Sequence, residues 1–255
     1  MLRKTHESSP YGTAILKGVD ILKYLAEQPV ATGVSRIARD LGMNRATVFK
    51  LLETLQLVGF VHKRESDSTY SLGPGLARLA HRAYEQLDIT TIAQPSLERL
   101  NNQTKETVHL GIEDENMVVY VSKLESKQAV RMHSRVGNAS PLYCTGIGKA
   151  IMSTWDDEKV HTYLRERELK QYTPNTITDA NTLLKVLQDI RINGYAMDNS
   201  EHEMEVRCIA APLYKDGILY GAFSVTAPTY RMDDGTVQRY IPLVKSCQTE
   251  ILAKL

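Results

Sequence analysis

Apolar residues near the start of the chain recur at three- and four-residue spacing. Ile15, Val19, Leu22 and Ala26 fall on one face of a helix, with Thr13 placed to cap it and Pro29 marking its end. A second short stripe, Val34, Ile37, Ala38 and Leu41, follows Gly33 and stops at Gly42. Asn44 then occupies the capping position of a third helix running to about Val58, whose inward stripe is Val48, Leu51, Leu52 and Leu55. Gly59 closes that helix and the period changes from about 3.6 to 2. Residues 60–64 and Thr69–Leu72 read as strands joined by the polar turn Glu65-Ser66-Asp67-Ser68. Two short helices meeting at a tight turn with glycine, then a hairpin, form the pattern of a winged helix-turn-helix.

Residues 73–87 make one further helix, with Pro74 near its start and Leu76, Leu79, Ala80, Ala83 and Leu87 on one face. An exposed apolar stripe on such a linker favours a dimer. Beyond it strands mix with helices. A helix through Leu97 and Leu100 is expected to break at Pro95. Strands are expected at 107–113, Met117–Leu124, 130–134, 206–214 and 219–226, and helices at 145–155, 157–165, 181–192 and 235–255. Hairpin-like strand pairs at both ends of this region predict an α+β domain with an antiparallel sheet flanked by helices. The predicted organisation is therefore 1–73 for the winged helix-turn-helix, 74–87 for the linker helix and 88–255 for a second domain.

Charge supports that division. Residues 1–86 carry 12 Lys and Arg against 8 Asp and Glu, a balance of +4, whereas the other 169 carry 19 against 22, a balance of −3. A basic first third on a mildly acidic remainder suits a nucleic-acid module joined to a domain that does not bind it. Cys144, Cys208 and Cys247 are widely spaced, with no CxxC pair, so a disulfide framework is not expected and a reducing cytoplasm is. No stretch reaches the roughly 18 to 20 apolar residues of a membrane helix, and the polar first ten residues lack a signal-peptide core. A soluble cytoplasmic protein with no membrane partner is the expectation.

With the Val48–Leu55 stripe inside, the opposite face of the third helix carries Ala46, Lys50 and Glu53, flanked by Phe49. Asn44, Arg45 and Thr47 stand at its start, where a recognition helix points into the major groove. Arg45 is suited to bidentate pairing with guanine, and Thr47 and Lys50 to phosphates or base edges. Lys63 and Arg64 enter the wing, where they would meet phosphate or the minor groove. The plainer reading is a small helical protein-binding adaptor with ordinary solvated charges, which predicts no salt-dependent DNA binding.

The chain resembles the IclR family of bacterial transcription regulators over essentially its whole length. Five phrases carry the resemblance in order: IARDLGMNRATVFKLLETL, GFVHKRESDSTYSLG, KETVHLGIEDENMVVYVSKLES, SRVGNASPLYCTGIGKAIM and AMDNSEHEMEVRCIAAPLY. The wording KETVHLG with RMHSRVGNASPLYCTGIGKA is similar to the branch that represses sugar-acid catabolism genes, whose effector is 2-keto-3-deoxygluconate. The resemblance implies an N-terminal winged helix and a C-terminal effector-binding domain of GAF-like fold. It also implies a homodimer or homotetramer on a palindromic double-stranded operator, and a small organic acid that changes DNA binding.

By the same resemblance the effector is held at a Gly-rich helix start, here Gly146 and Ile147. An acidic residue ten before a cysteine, Asp198 and Cys208, and two hydroxyls on alternate strand positions, Ser224 and Thr226, complete the set. Thr226 stands where relatives often have Ser, and Ile147 is bulkier than the family's small residue. Helix-start amides favour an anion, so the effector carboxylate is expected at Gly146-Ile147. Asp198 would repel a carboxylate and should face ligand hydroxyls or be paired. His133 and Arg135, on the strand expected at 130–134 or just after it, are candidates to touch a larger sugar acid.

Competing chemistry is thin. His109, His133 and His202 have no spacing that closes a zinc site. GIGKA lacks the first Gly and the Ser/Thr of a phosphate loop, HEMEV lacks the second His of a zinc protease, and no GxSxG is present. No catalytic residue, metal or cofactor is expected. The enzyme alternative is a thiol hydrolase or isomerase on small keto acids, with Cys208 as nucleophile and His202 as base.

Overall fold

The computed structural model describes residues 12–85, 88–130, 132 and 134–255. The chain divides into two compact units, Met1–Gln86 and Leu87–Leu255. In the first, α1 (Thr13–Glu27), α2 (Val34–Asp40) and α3 (Arg45–Leu57) pack on a small antiparallel sheet. That sheet has the order β1-β3-β2, from β1 (Thr32–Gly33), β2 (Val61–Arg64) and β3 (Thr69–Leu72). Ile21, Tyr24, Leu25, Ile37, Ala38, Val48, Leu52, Val61 and Tyr70 form its core. The two-residue β1 is too short to carry a period and was not expected.

The first helix forms with a different inward face. Ile21, Tyr24 and Leu25 are buried, whereas Ile15 and Val19 are 74% and 40% exposed. Two overlapping apolar faces exist on this helix, and the one chosen lets the Tyr24 hydroxyl donate to Asp40 of α2 at 2.8 Å. The Thr13 cap does not form either: Gly12 is the capping residue and supplies no side-chain bond. α4 (Pro74–Glu85) starts against the end of α3, where the Gly73 amide donates to Phe60 O and the Gly75 amide to Gly59 O, both at 2.8 Å. A Cβ on Gly73 or Gly75 would stand 2.4 or 2.6 Å from the Gly59 carbonyl oxygen, so the pair of glycines is what permits this approach. Leu79 and Ala80 of α4 are exposed; Leu87, the last residue of the expected stripe, lies outside the described residues.

The second unit is an antiparallel six-stranded sheet of order β6-β5-β4-β9-β8-β7. Its strands are β4 (Thr107–Asp114), β5 (Met117–Leu124), β6 (Ala139–Pro141), β7 (Ala196–Asn199), β8 (Val206–Lys215) and β9 (Ile218–Pro228). α5 (Asp88–Thr104) and α9 (Asp234–Leu252) pack on each other and against the sheet. α6 (Gly146–Met152) lies on the sheet, with α8 (Ala180–Asn193) packed on it and α7 (Asp157–Glu166) contributing to the same core. Ile147, Ala150, Ile151, Leu183, Leu187, Ala196, Ala210 and Ala222 belong to that core. The small alanines on the strands let α6 sit close. No helix among the described residues is long and apolar enough to cross a membrane.

Four details depart from the sequence pattern. Pro95 does not break α5, which runs continuously through it. Burial of Ile89, Ala93, Leu97 and Leu100 offsets the one lost backbone bond and the ring clash, a cost of about 3 kcal/mol. The strand expected at 130–134 is absent from its described residues. The carbonyls of Met132 and Ser134 instead accept from the Lys123 ammonium at 2.8 and 2.7 Å, so a side chain replaces the ladder. The helix expected at 145–155 ends at Met152. The short strands β6 and β7 were not anticipated.

Candidate functional site

In the first unit, α3 starts where Asn44 accepts the Ala46 amide at 2.8 Å, satisfying one of the free N–H groups of the first turn. Val48 and Leu52 are fully buried, with Leu51 and Leu55 packed beside them. That anchoring leaves Arg45, Ala46, Phe49 and Lys50 exposed and Thr47 half-buried on the outward side. Phe49, 46% exposed, lies between the Arg45 and Lys50 cations on that side. On the wing, Arg64 is exposed and pairs with Asp67 at 3.4 Å, a surface contact of small value. Lys63 is half-buried and faces Tyr70 across the hairpin, so its aliphatic stem packs inward. Arg36 and Arg39 on α2, both largely exposed, add cationic surface that helical periodicity gave no reason to single out.

In the second unit, sheet register builds a site from distant parts of the chain. One row of paired residues runs Asp198, Cys208, Thr226 and Thr107 across β7, β8, β9 and β4. The next runs Ala196, Ala210, Ser224, His109 and Lys123, ending on β5. α6 lies over these rows. A Cβ on Gly146 would stand 2.5 Å from Cys208 Sγ, and one on Gly148 would stand 2.1 Å from the Leu142 carbonyl oxygen. The two glycines of CTGIGKA are therefore required by contact with the sheet and with the preceding loop. Thr145 caps α6, accepting the Gly148 amide at 3.1 Å and donating to Pro141 O at 2.8 Å.

A cavity of about 50 Å³ remains between helix and sheet, room for a few waters. Gly146, Ile147, Asp198, Cys208, Ser224 and Thr226 all line it. His109, Tyr120, Met132, Ser134, Thr145, His202, Glu203 and Val206 also line it and were not identified as binding residues. Register between strands more than a hundred residues apart leaves no local signal in the sequence. His133 lies outside the described residues, and Arg135 is exposed and not among the cavity residues.

Burial sets the chemistry of the lining. Asp198, 5% exposed, is raised to about 7 by burial, with the Glu201 charge adding and Lys149 opposing. Its Oδ1 accepts the Glu201 amide at 2.7 Å. Lys149, 1% exposed on α6, forms an ion pair with Glu201, which fixes the turn after β7 against α6. Burial pushes the Cys208 thiol up, as does the Asp198 charge, against the opposing pull of the Gly146 amide and the Lys149 charge. The His109 imidazole is lowered to about 3 by burial and then by the Lys123 charge; burial also lowers His202. Neutral imidazoles, a protonated thiol and a carboxyl near its midpoint make a cavity rich in hydrogen-bonding groups and without an activated nucleophile.

Comparison with known proteins bears on both units. Residues 14–65 match the IclR helix-turn-helix domain, and residues 81–253 the domain described as bacterial transcriptional regulator IclR C-terminal. The HTH-type transcriptional regulator KdgR of Escherichia coli (strain K12) is 34% identical over 244 residues, 95% of this chain and 92% of that one. The HTH-type transcriptional repressor AllR of the same strain is 31% identical over 243 residues, 95% of this chain and 90% of that one. The crystal structure of the Thermotoga maritima IclR superposes with a TM-score of 0.76 at 31% identity, covering 94% of this chain and 98% of that one.

Proposed function

The chain belongs to the IclR family of bacterial transcriptional regulators, and from that premise we propose that it is a cytoplasmic repressor controlled by an organic acid, a keto sugar acid in particular. The observation that carries this reading is the convergence of Gly146, Ile147, Asp198, Cys208, Ser224 and Thr226 on one buried cavity. The similarity to a protein named as a repressor supports the sense of regulation.

The amides at the start of α6 divide their work. Gly148 N–H goes to Thr145 Oγ1, and the Gly146 and Ile147 amides ahead of it are the donors for a ligand oxygen. Asp198, close to its midpoint at neutral pH, can donate to a keto oxygen when protonated and accept from a hydroxyl when ionised. Ser224 and Thr226 add hydroxyls from adjacent rows on the same face of β9. Binding without turnover fits the Cys208 thiol, which burial raises rather than lowers, opposite to what a thiol nucleophile needs. The protein is therefore read as a regulator and not an enzyme.

On the DNA side, Arg45, Thr47 and Lys50 read base edges and phosphates while Asn44, Ala46 and Phe49 shape the approach. Lys63 and Arg64 hold the wing to the backbone. A homodimer, or a pair of them, presents two such readers to a palindromic operator. Fluorescence anisotropy on the DNA upstream of the protein's own gene tests the whole reading, titrated with salt and then with 2-keto-3-deoxygluconate, glyoxylate, pyruvate and an aromatic acid. The expected result is specific binding that one acid shifts. Specific binding that no acid shifts would remove the cavity assignment, and no specific binding would remove the operator reading.

A further inference from the structure

The residues that resemblance brought to the cavity account for only one side of it. The rest is a polar set on His109 and Ser134 that connects to Thr226 and Ser224. His109 Nδ1 lies 3.3 Å from Thr226 Oγ1, and His109 Nε2 lies 2.6 Å from Ser134 Oγ. Thr226 Oγ1 lies 3.1 Å from Ser224 Oγ. Lys123 holds the backbone carbonyls of Met132 and Ser134 and pairs with Glu125 at 2.9 Å. The Tyr120 ring leans on the imidazole at 5.0 Å. His109 itself is 3% exposed.

A neutral imidazole has one nitrogen that donates and one that accepts. The two hydroxyls it holds are therefore polarised in opposite senses, whichever tautomer is present. One gives its proton to the ring and offers lone pairs to a ligand; the other accepts from the ring and keeps its own O–H to donate. Burial and the neighbouring Lys123 charge keep the ring neutral across the physiological range. A carboxylate, which only accepts, matches half of such a wall. A tail with several hydroxyls, each of which donates and accepts, matches both ends of it.

We infer that His109 is a positioning residue for effector specificity: by fixing the Thr226 and Ser134 hydroxyls in opposite senses, it selects a monoacid with a hydroxylated tail. This rests on the acid-effector reading above and adds which part of the effector is read, and by what. Met132 and Tyr120, on the same wall, enclose the carbon chain between those hydroxyls.

The test compares two keto acids that share a head and differ in the tail, 2-keto-3-deoxygluconate and pyruvate. Calorimetry with the full-length protein measures their affinities for the wild type, His109→Leu and His109→Gln. The wild type is expected to bind the hydroxylated acid more tightly. Leucine frees both hydroxyls to turn, and should weaken that acid about tenfold or more while changing pyruvate less than about threefold. Glutamine, with a donor and an acceptor on one amide, should recover part of the loss. Equal losses on both acids would mark His109 as merely structural and overturn the inference, as would no loss on either. A wild type that binds pyruvate but not the hydroxylated acid would overturn it while sparing the acid-effector reading. A wild type that binds neither would overturn that reading and this inference with it.

Discussion

At Asp198 burial works against the charge that the carboxyl would carry in water. Its folded value near 7 lies above the ordinary 3.8, so between those values the folded chain holds a proton that the unfolded chain has released. The stability this group contributes is therefore full below about pH 4 and is lost as pH rises through about 7. Thermal unfolding between about pH 5 and about pH 8 should show a steeper decline for the wild type than for Asp198→Asn. Coincident slopes would mean that Asp198 does not titrate there. Lys149 offers a second test at this scale. Replacing it with Met strips the buried Glu201 of its partner and should cost roughly 3 kcal/mol or more in denaturant unfolding. Adding Glu201→Gln to that variant should return much of the loss, because no buried charge is then left alone. Both residues lie in phrases that a sequence reading singles out. Their proximity, and the proton affinity that follows from it, do not appear in those phrases.

Among the elements, α3 was the most legible. Its cap, inward stripe and closing glycine are all local features, and the helix forms from Arg45 to Leu57 with Asn44 bonded as a cap. Arg45→Ala should weaken specific operator binding by about five- to 150-fold per half-site while leaving effector affinity within about twofold, since a bidentate base contact carries about 1–3 kcal/mol of discrimination. Electrophoretic mobility shift with specific and scrambled DNA would check it; retained specificity would displace α3 from the recognition role. Elements whose formation depends on neighbours were read less well. α5 crosses Pro95 because packing overrides propensity. The segment at 130–134 has strand-like residues, yet its carbonyls are claimed by Lys123. β6 and β7 are three and four residues long, too short for a period of two to announce itself.

For the molecule as a whole, two units with separate cores must exchange information if an acid is to alter DNA binding. We propose that α4 (Pro74–Glu85) carries that role. An effector can shift operator affinity only through its difference in affinity for two conformations, and the coupling must be reciprocal. Saturating operator DNA should thus change effector affinity by the same factor by which effector changes operator affinity. Paired titrations on one preparation measure both factors. Asp198→Ala should leave DNA affinity intact and flatten the response to effector. Unequal factors would show that a further state or ligand takes part.

The sequence by itself determined what local interactions determine: the reader helix and its cap, the hairpin wing, the α+β character of the second unit, and the residue types brought to the cavity by resemblance. Period, capping and glycine placement act over a few residues, so they can be read along the chain. Only the tertiary structure decided which of two apolar faces of α1 turns inward, that Pro95 lies within a continuous helix, and that His109 stands beside Ser224 and Thr226. Those outcomes follow from strand register and from packing between segments distant in sequence. His109 and Thr226 are 117 residues apart, and nothing but the folded sheet brings an imidazole from β4 to a hydroxyl on β9.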